Sequence, residues 1–151
     1  MSERLQAIKN TFPAARALVI TSPRALHYNC IAHALGISDA VWWPTGWGDL
    51  RWLPGWPRVL TLDNVAGVFV GFERCAHGDH EPGIEKIAIY AKNKVPTHAA
   101  RQLESGRWTS KLGPDEDVEH DLADLIGRRY GQPVVFLRRP WPASSPQGTG
   151  R

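Results

Sequence analysis

Apolar residues at Leu5, Ile8 and Phe12 recur at helical spacing, which predicts a short amphipathic helix over residues 2–10 that Pro13 ends. Residues 17–20 read as a short buried strand. Thr21-Ser22-Pro23 is a stop and restart, with Ser22 as cap and Pro23 in the first turn of a helix. Residues 30–35 are helical in composition, and Gly36 suits the left-handed position after a helix. Leu62, Val65, Phe69 and Phe72 share one side of a further helix opened by Thr61. The strongest β signal follows: strands over 86–91, 97–103 and 107–112, with turns at 92–96 and 104–106. Gly113-Pro114 breaks that run. Asp115, Glu116 and Asp117 then suit the first turn of a helix reaching Tyr130, where Gly131 stops it. A last strand covers 133–138. The order of elements, helices first and then a meander, reads as an α+β fold with N-terminal helices packed on a small antiparallel sheet. One domain is expected over residues 1–139. From Pro140 onward seven of twelve residues are Pro, Ser or Gly, which predicts a disordered tail.

Composition narrows the classes. The chain has 151 residues, 42% hydrophobic and 22% charged, an ordinary globular mix. No apolar run approaches the ~20 residues that span a bilayer. The first residues lack a basic-then-apolar leader, so the expected compartment is the cytoplasm, and Cys30 and Cys75 are expected to be free thiols or at most one bridge. The net charge is +3, yet residues 128–151 hold five Arg and no acid, so the rest of the chain is slightly acidic. That body has no clustered basic face for a nucleic acid.

The candidate chemistry centres on Tyr28-Asn29-Cys30 at a helix and Thr97-His98 on a strand. A thiol hydrolase needs a thiolate, a base that makes it and a group that orients the base. The turn near Ser105 places residues 108–112 opposite His98, and Ser110 is the polar residue there. Cys30, His98 and Ser110 are therefore the predicted catalytic set. Asn29, Trp42, Trp43 and Lys111 are the predicted substrate contacts, with the Cys30 amide and Asn29 as oxyanion donors. The expected substrate is a protein or a peptide-like amide, with no cofactor. Oligomeric state is not encoded in any motif.

Four segments, Tyr28 to Ala34, Glu85 to Ala91, Thr97 to Gln102 and Gly106 to Gly113, together resemble a family of small, mostly bacterial proteins of unassigned activity. More distantly they resemble papain-fold hydrolases of the NlpC type. There a Cys opens a helix, a His opens a strand and a polar third residue follows about twelve positions on. Asn29 stands where that class carries an acidic residue, and Ser110 where it usually carries His. The resemblance implies a papain-like fold and cysteine-hydrolase activity through Cys30, His98 and Ser110.

Two other readings compete. Cys75, His77 and His80 offer zinc ligands at close spacing, to be completed by His27, Cys30 or His33. Five tryptophans within residues 42–56, interleaved with Pro and Gly, form a loop whose indoles would stack on a ligand or anchor a partner in a non-catalytic binding module.

Overall fold

The structure, a computed structural model, describes residues 2–46 and 50–142. Helix α1 (Glu3–Thr11) is capped by the Ser2 hydroxyl, which accepts from the Leu5 amide at 3.0 Å, and it buries Ile8. Then come β1 (Val19–Ser22), α2 (Cys30–Ala34), the parallel pair β2 (Val41–Trp42) and β3 (Leu50–Arg51), and α3 (Leu62–Gly67). Strands β4 (Glu73–Cys75), β5 (Ile84–Lys92), β6 (Val95–Gln102), β7 (Trp108–Lys111) and β8 (Asp117–His120) follow. A 3-10 turn (Leu122–Leu125) leads to β9 (Gln132–Pro140).

Seven of these strands form one antiparallel sheet in the order β1-β8-β7-β6-β5-β9-β4. The hairpin β5–β6 closes through Asn93 and Lys94, at φ 49° and 68°, and the paired left-handed residues match the twist of the flanking strands. Side chains alternate along each strand, so the sheet has two cores. Ile87, Ile89, Ala99, Val135 and Leu137 pack with Cys30, Ile31 and Ala34 of α2 and with Val65 and Phe69. Ala88, Ala100, Trp108 and Val118 pack with Ile8 and Phe12, with Leu125 and with Tyr130.

This architecture corrects the expected papain-like fold of N-terminal helices on a small sheet. The helices have nine, five and six residues, and the sheet, covered on both sides, is the body of the molecule. Residues 22–29 form no helix, and α2 begins at Cys30 itself. Helix α3 ends at Gly67, not Phe72. The largest change is at residues 115–130, where the expected helix is replaced by β8 and the 3-10 turn. Its acids answer distant partners rather than a helix terminus. Glu116 accepts from Arg4 at 2.7 and 2.9 Å, Asp117 from Tyr28 at 2.6 Å, and Asp124 from the Arg16 amide at 2.8 Å. The remaining β residues fill the gap between β7 and β1.

Strand β9 runs on to Pro140, and the Trp141 amide donates to Gly83 at 2.9 Å. The expected tail beyond that, residues 143–151, lies outside the described residues. Among the described residues no helix is long and apolar enough to cross a membrane.

Candidate functional site

Asn29 caps α2 and ties it to the next strand. Its Oδ1 accepts from the amides of Ala32 and Trp42, at 3.3 and 3.0 Å, and its Nδ2 donates to the Trp42 carbonyl at 2.8 Å. The Asn29 amide group is thus occupied by structure, and Trp42 is held beside the residue that precedes Cys30. Cys30 follows at the first helical position, 6% exposed. Burial pushes its thiol up to about 11, although the backbone amides of Ala99, Ile31 and Cys30 itself favour the thiolate. Neither Cys30 nor Cys75 is in a disulfide.

Ala99 is the residue under the thiol, and His98 precedes it on β6. A bulge that leaves Thr97 without a cross-strand partner stands immediately before His98. His98 is 2% exposed and stacks on Tyr130 at 4.0 Å between ring centroids. Its Nε2 lies 2.9 Å from Ser110 Oγ, which lies 2.7 Å from His120 Nε2. The structure thus brings His98 and Ser110 together. Cys30 lies over the next residue, Ala99, in the other core, and makes no hydrogen bond to His98 among the described residues.

The protons in this chain follow from one carbonyl. His120 Nδ1 is 2.7 Å from the Asp121 carbonyl, which only accepts, so Nδ1 carries the proton. Burial lowers the His120 pKa to about 4, so at neutral pH its Nε2 is an acceptor. Ser110 must then donate to His120 and accept from His98 Nε2. His98, whose pKa burial also lowers well below its ordinary value, is therefore neutral with its proton on Nε2. Its Nδ1 carries a buried lone pair with no hydrogen-bond partner. His120 was expected in a helix; the β-strand that orients it exists only through pairing with β7 and β1, so no local pattern marked it.

A second polar group surrounds the start of α2. His33 Nε2 is 2.9 Å from Thr109 Oγ1, and Tyr28 donates to Asp117 Oδ2. Lys111, fully buried, donates to the carbonyls of Ala25 and Gly113 at 2.7 and 2.9 Å and to that of Asp115. All three of its N–H groups hold loop to loop, and its ammonium lies 4.9 Å from the Tyr28 ring centre. Lys111 is therefore a structural clamp and not a free substrate contact.

Cys75, His77 and His80 do not assemble. The Cys75 thiol donates to the His77 carbonyl at 3.3 Å, and His77 Nδ1 accepts from the Asp79 amide. Among the described residues no group of three or more His, Cys, Asp or Glu stands in position to hold a metal ion. Trp42, Trp43 and Trp52 line the α2–α3 core, while Trp56 is exposed. Trp52 is buried and donates to the Pro57 carbonyl at 2.9 Å, Trp42 and Trp43 are half-buried against the same cluster, and Trp56 donates to Asn64 at 2.7 Å. Trp47 lies outside the described residues.

The architecture is a wide antiparallel sheet with a buried His-Ser-His chain and a short cysteine-bearing helix packed on it. Residues 19–138, from the first residue of β1 into β9, match the family described as Domain of unknown function (DUF7689), and the chain belongs to that family. No curated protein and no solved structure matches the chain.

Proposed function

We propose that the protein is a thiol-dependent hydrolase or acyl transferase acting on an amide bond, with Cys30 as nucleophile and His98 as base. The observation that carries this reading is the unpartnered Nδ1 lone pair of His98, one residue from the strand position beneath the Cys30 sulfur. A buried lone pair without a donor is unfavourable unless it has a task. Ser110 and His120 orient the ring through its other nitrogen, as an orienting group must. Both partners start neutral. His98 Nδ1 takes the thiol proton as Sγ attacks the carbonyl carbon, and contacts of this kind tighten when substrate arrives. The C–N bond then breaks, the amine leaves with that proton, and water or an amine releases the acyl group from sulfur. Half-buried Trp42 and Trp43 form the adjacent wall for a peptide-like substrate.

The test is the pH profile of Cys30 alkylation by iodoacetamide in a Cys75→Ser background, with and without His98→Gln. The expected result is a loss of at least about tenfold in rate at pH 7 without His98, and equal rates near pH 11, where the thiol ionises unaided. Equal rates at pH 7, or reaction only once urea unfolds the chain, would overturn the proposal.

A further inference from the structure

The face of the sheet that carries the Cys30 core does not stay apolar to its end. Along β5 the same-face residues run Ile89, Ile87, Glu85; along β6, Ala99, Arg101; along β9, Val135, Leu137, Arg139. Alternation thus delivers one carboxylate and two guanidinium groups to a single patch beyond the end of α2. Glu85 and Arg139 are cross-strand neighbours, and Arg139 Nε donates to Glu85 Oε1 at 2.7 Å. The Arg139 guanidinium lies 4.5 Å from the Phe72 ring centre, which holds its plane. Arg101 differs: it has no hydrogen bond and no ion pair among the described residues, and its Nε is buried without a partner.

Two adjoining cavities, about 310 and 910 Å3, share Glu85, Arg101 and Arg139 in their walls. Leu35 and Phe72 add an apolar wall to the smaller one, and Trp141 borders the larger. Volumes of that order suit a small molecule. Burial disfavours the Arg101 charge and the nearby Glu85 carboxylate, already held by Arg139, offsets that only in part, so a guanidinium whose Nε is buried without a partner is relieved by a bound anion.

We propose that this cleft binds a small oxyanion, a carboxylate or phosphate group gripped by Arg101 and by the free edge of Arg139, with the apolar remainder of the ligand against Phe72 and Leu35. Arginine is the side chain suited to the task, because its planar fork meets two oxygens at once. The site stands whether or not Cys30 is a nucleophile.

Calorimetric titration of the full chain at low salt tests the proposal, with citrate as the carboxylate probe and inorganic pyrophosphate as the phosphate probe. At least one is expected to bind at a single site with Kd below about 1 mM. The probe that binds tells which oxyanion the cleft prefers. Arg101→Met is expected to weaken that binding at least about tenfold and Arg101→Lys by less, since lysine keeps the charge without the fork. Arg128→Gln, at an exposed position, is expected to leave it unchanged. Arg101→Met should melt close to the parent, because it removes a half-buried guanidinium that makes no hydrogen bond, while Glu85 keeps Arg139. Should that variant fail to fold, Arg101→Lys decides alone. No binding of either probe at about 10 mM, or binding indifferent to Arg101, overturns the assignment.

Discussion

Acidification from pH 7 toward pH 4.5 should strip stability from this fold through its buried histidines. His120 is fully buried, and burial lowers its pKa to about 4, against the pull of the Asp121 carbonyl in the other direction. In the unfolded chain the same ring titrates near 6.5. The unfolded state therefore binds the proton first as pH falls. The contribution of His120 is complete above about pH 6.5, declines by up to ~1.4 kcal/mol per pH unit, and is gone near pH 4. The interval between 6.5 and about 4 corresponds to ~3 kcal/mol from this one ring. His98 shifts in the same direction for the same cause and adds to the slope. A domain holds only about 5–15 kcal/mol in all, so the two rings matter. Glu116 beside Arg4 and Glu81 beside Lys86 are held below the ordinary carboxylate value, and their stabilisation is lost only as pH falls below that value. The two windows therefore separate. Urea unfolding followed by tryptophan fluorescence at pH 7, 6 and 5 measures the slope, and His120→Gln should remove its share. A flat profile between pH 7 and 5, or a folded-state His120 resonance titrating near 6.5, would refute the reasoning.

Two other substitutions probe the same framework. Ser110→Ala leaves His98 Nε2–H and His120 Nε2 without their shared partner, and two orphaned buried groups are expected to cost about 2–6 kcal/mol in urea unfolding at pH 7; a change under about 0.5 kcal/mol would mean that the chain of bonds does not exist. Gly131→Ala places a Cβ 2.1 Å from the Ala91 carbonyl oxygen at a residue with φ 77°, so a loss of more than about 1 kcal/mol is expected from strain and from displacement of β9 against β5. An unchanged melting temperature would contradict the close approach.

Much of the sheet was legible because its signals are local. The continuous apolar run from Ile87 to Ala91, the turn expected within 92–96 and found at Asn93 and Lys94, and the apolar run before Arg138 specify strands over a few residues. The same holds for Gly36, which takes φ 83°, whereas the cap of the helix that bears Cys30 is Asn29 and not the expected Ser22. Ser110 could be set opposite His98 by counting through a tight turn. His120 and Arg101 could not. The acids from Asp115 to Asp117 look like a helix start, and only Arg4 and Tyr28, about ninety or more residues away, claim them instead. Arg101 sits in an ordinary strand, and its lack of a hydrogen bond is a property of what surrounds it. Lys111 looks like a free cation until three carbonyls from two loops close on it.

The sequence alone thus determined the central strands β5, β6, β7 and β9 and which residues are small, apolar or ionisable, since those follow from backbone sterics and side-chain chemistry within a few positions. The tertiary structure alone decided the width of the sheet, the covering of both its faces, the tautomer of His98 and the placing of Arg101 without a hydrogen bond. Each of these depends on which groups at large sequence separation are buried together, and burial, not local preference, governs the energy of a proton or a charge.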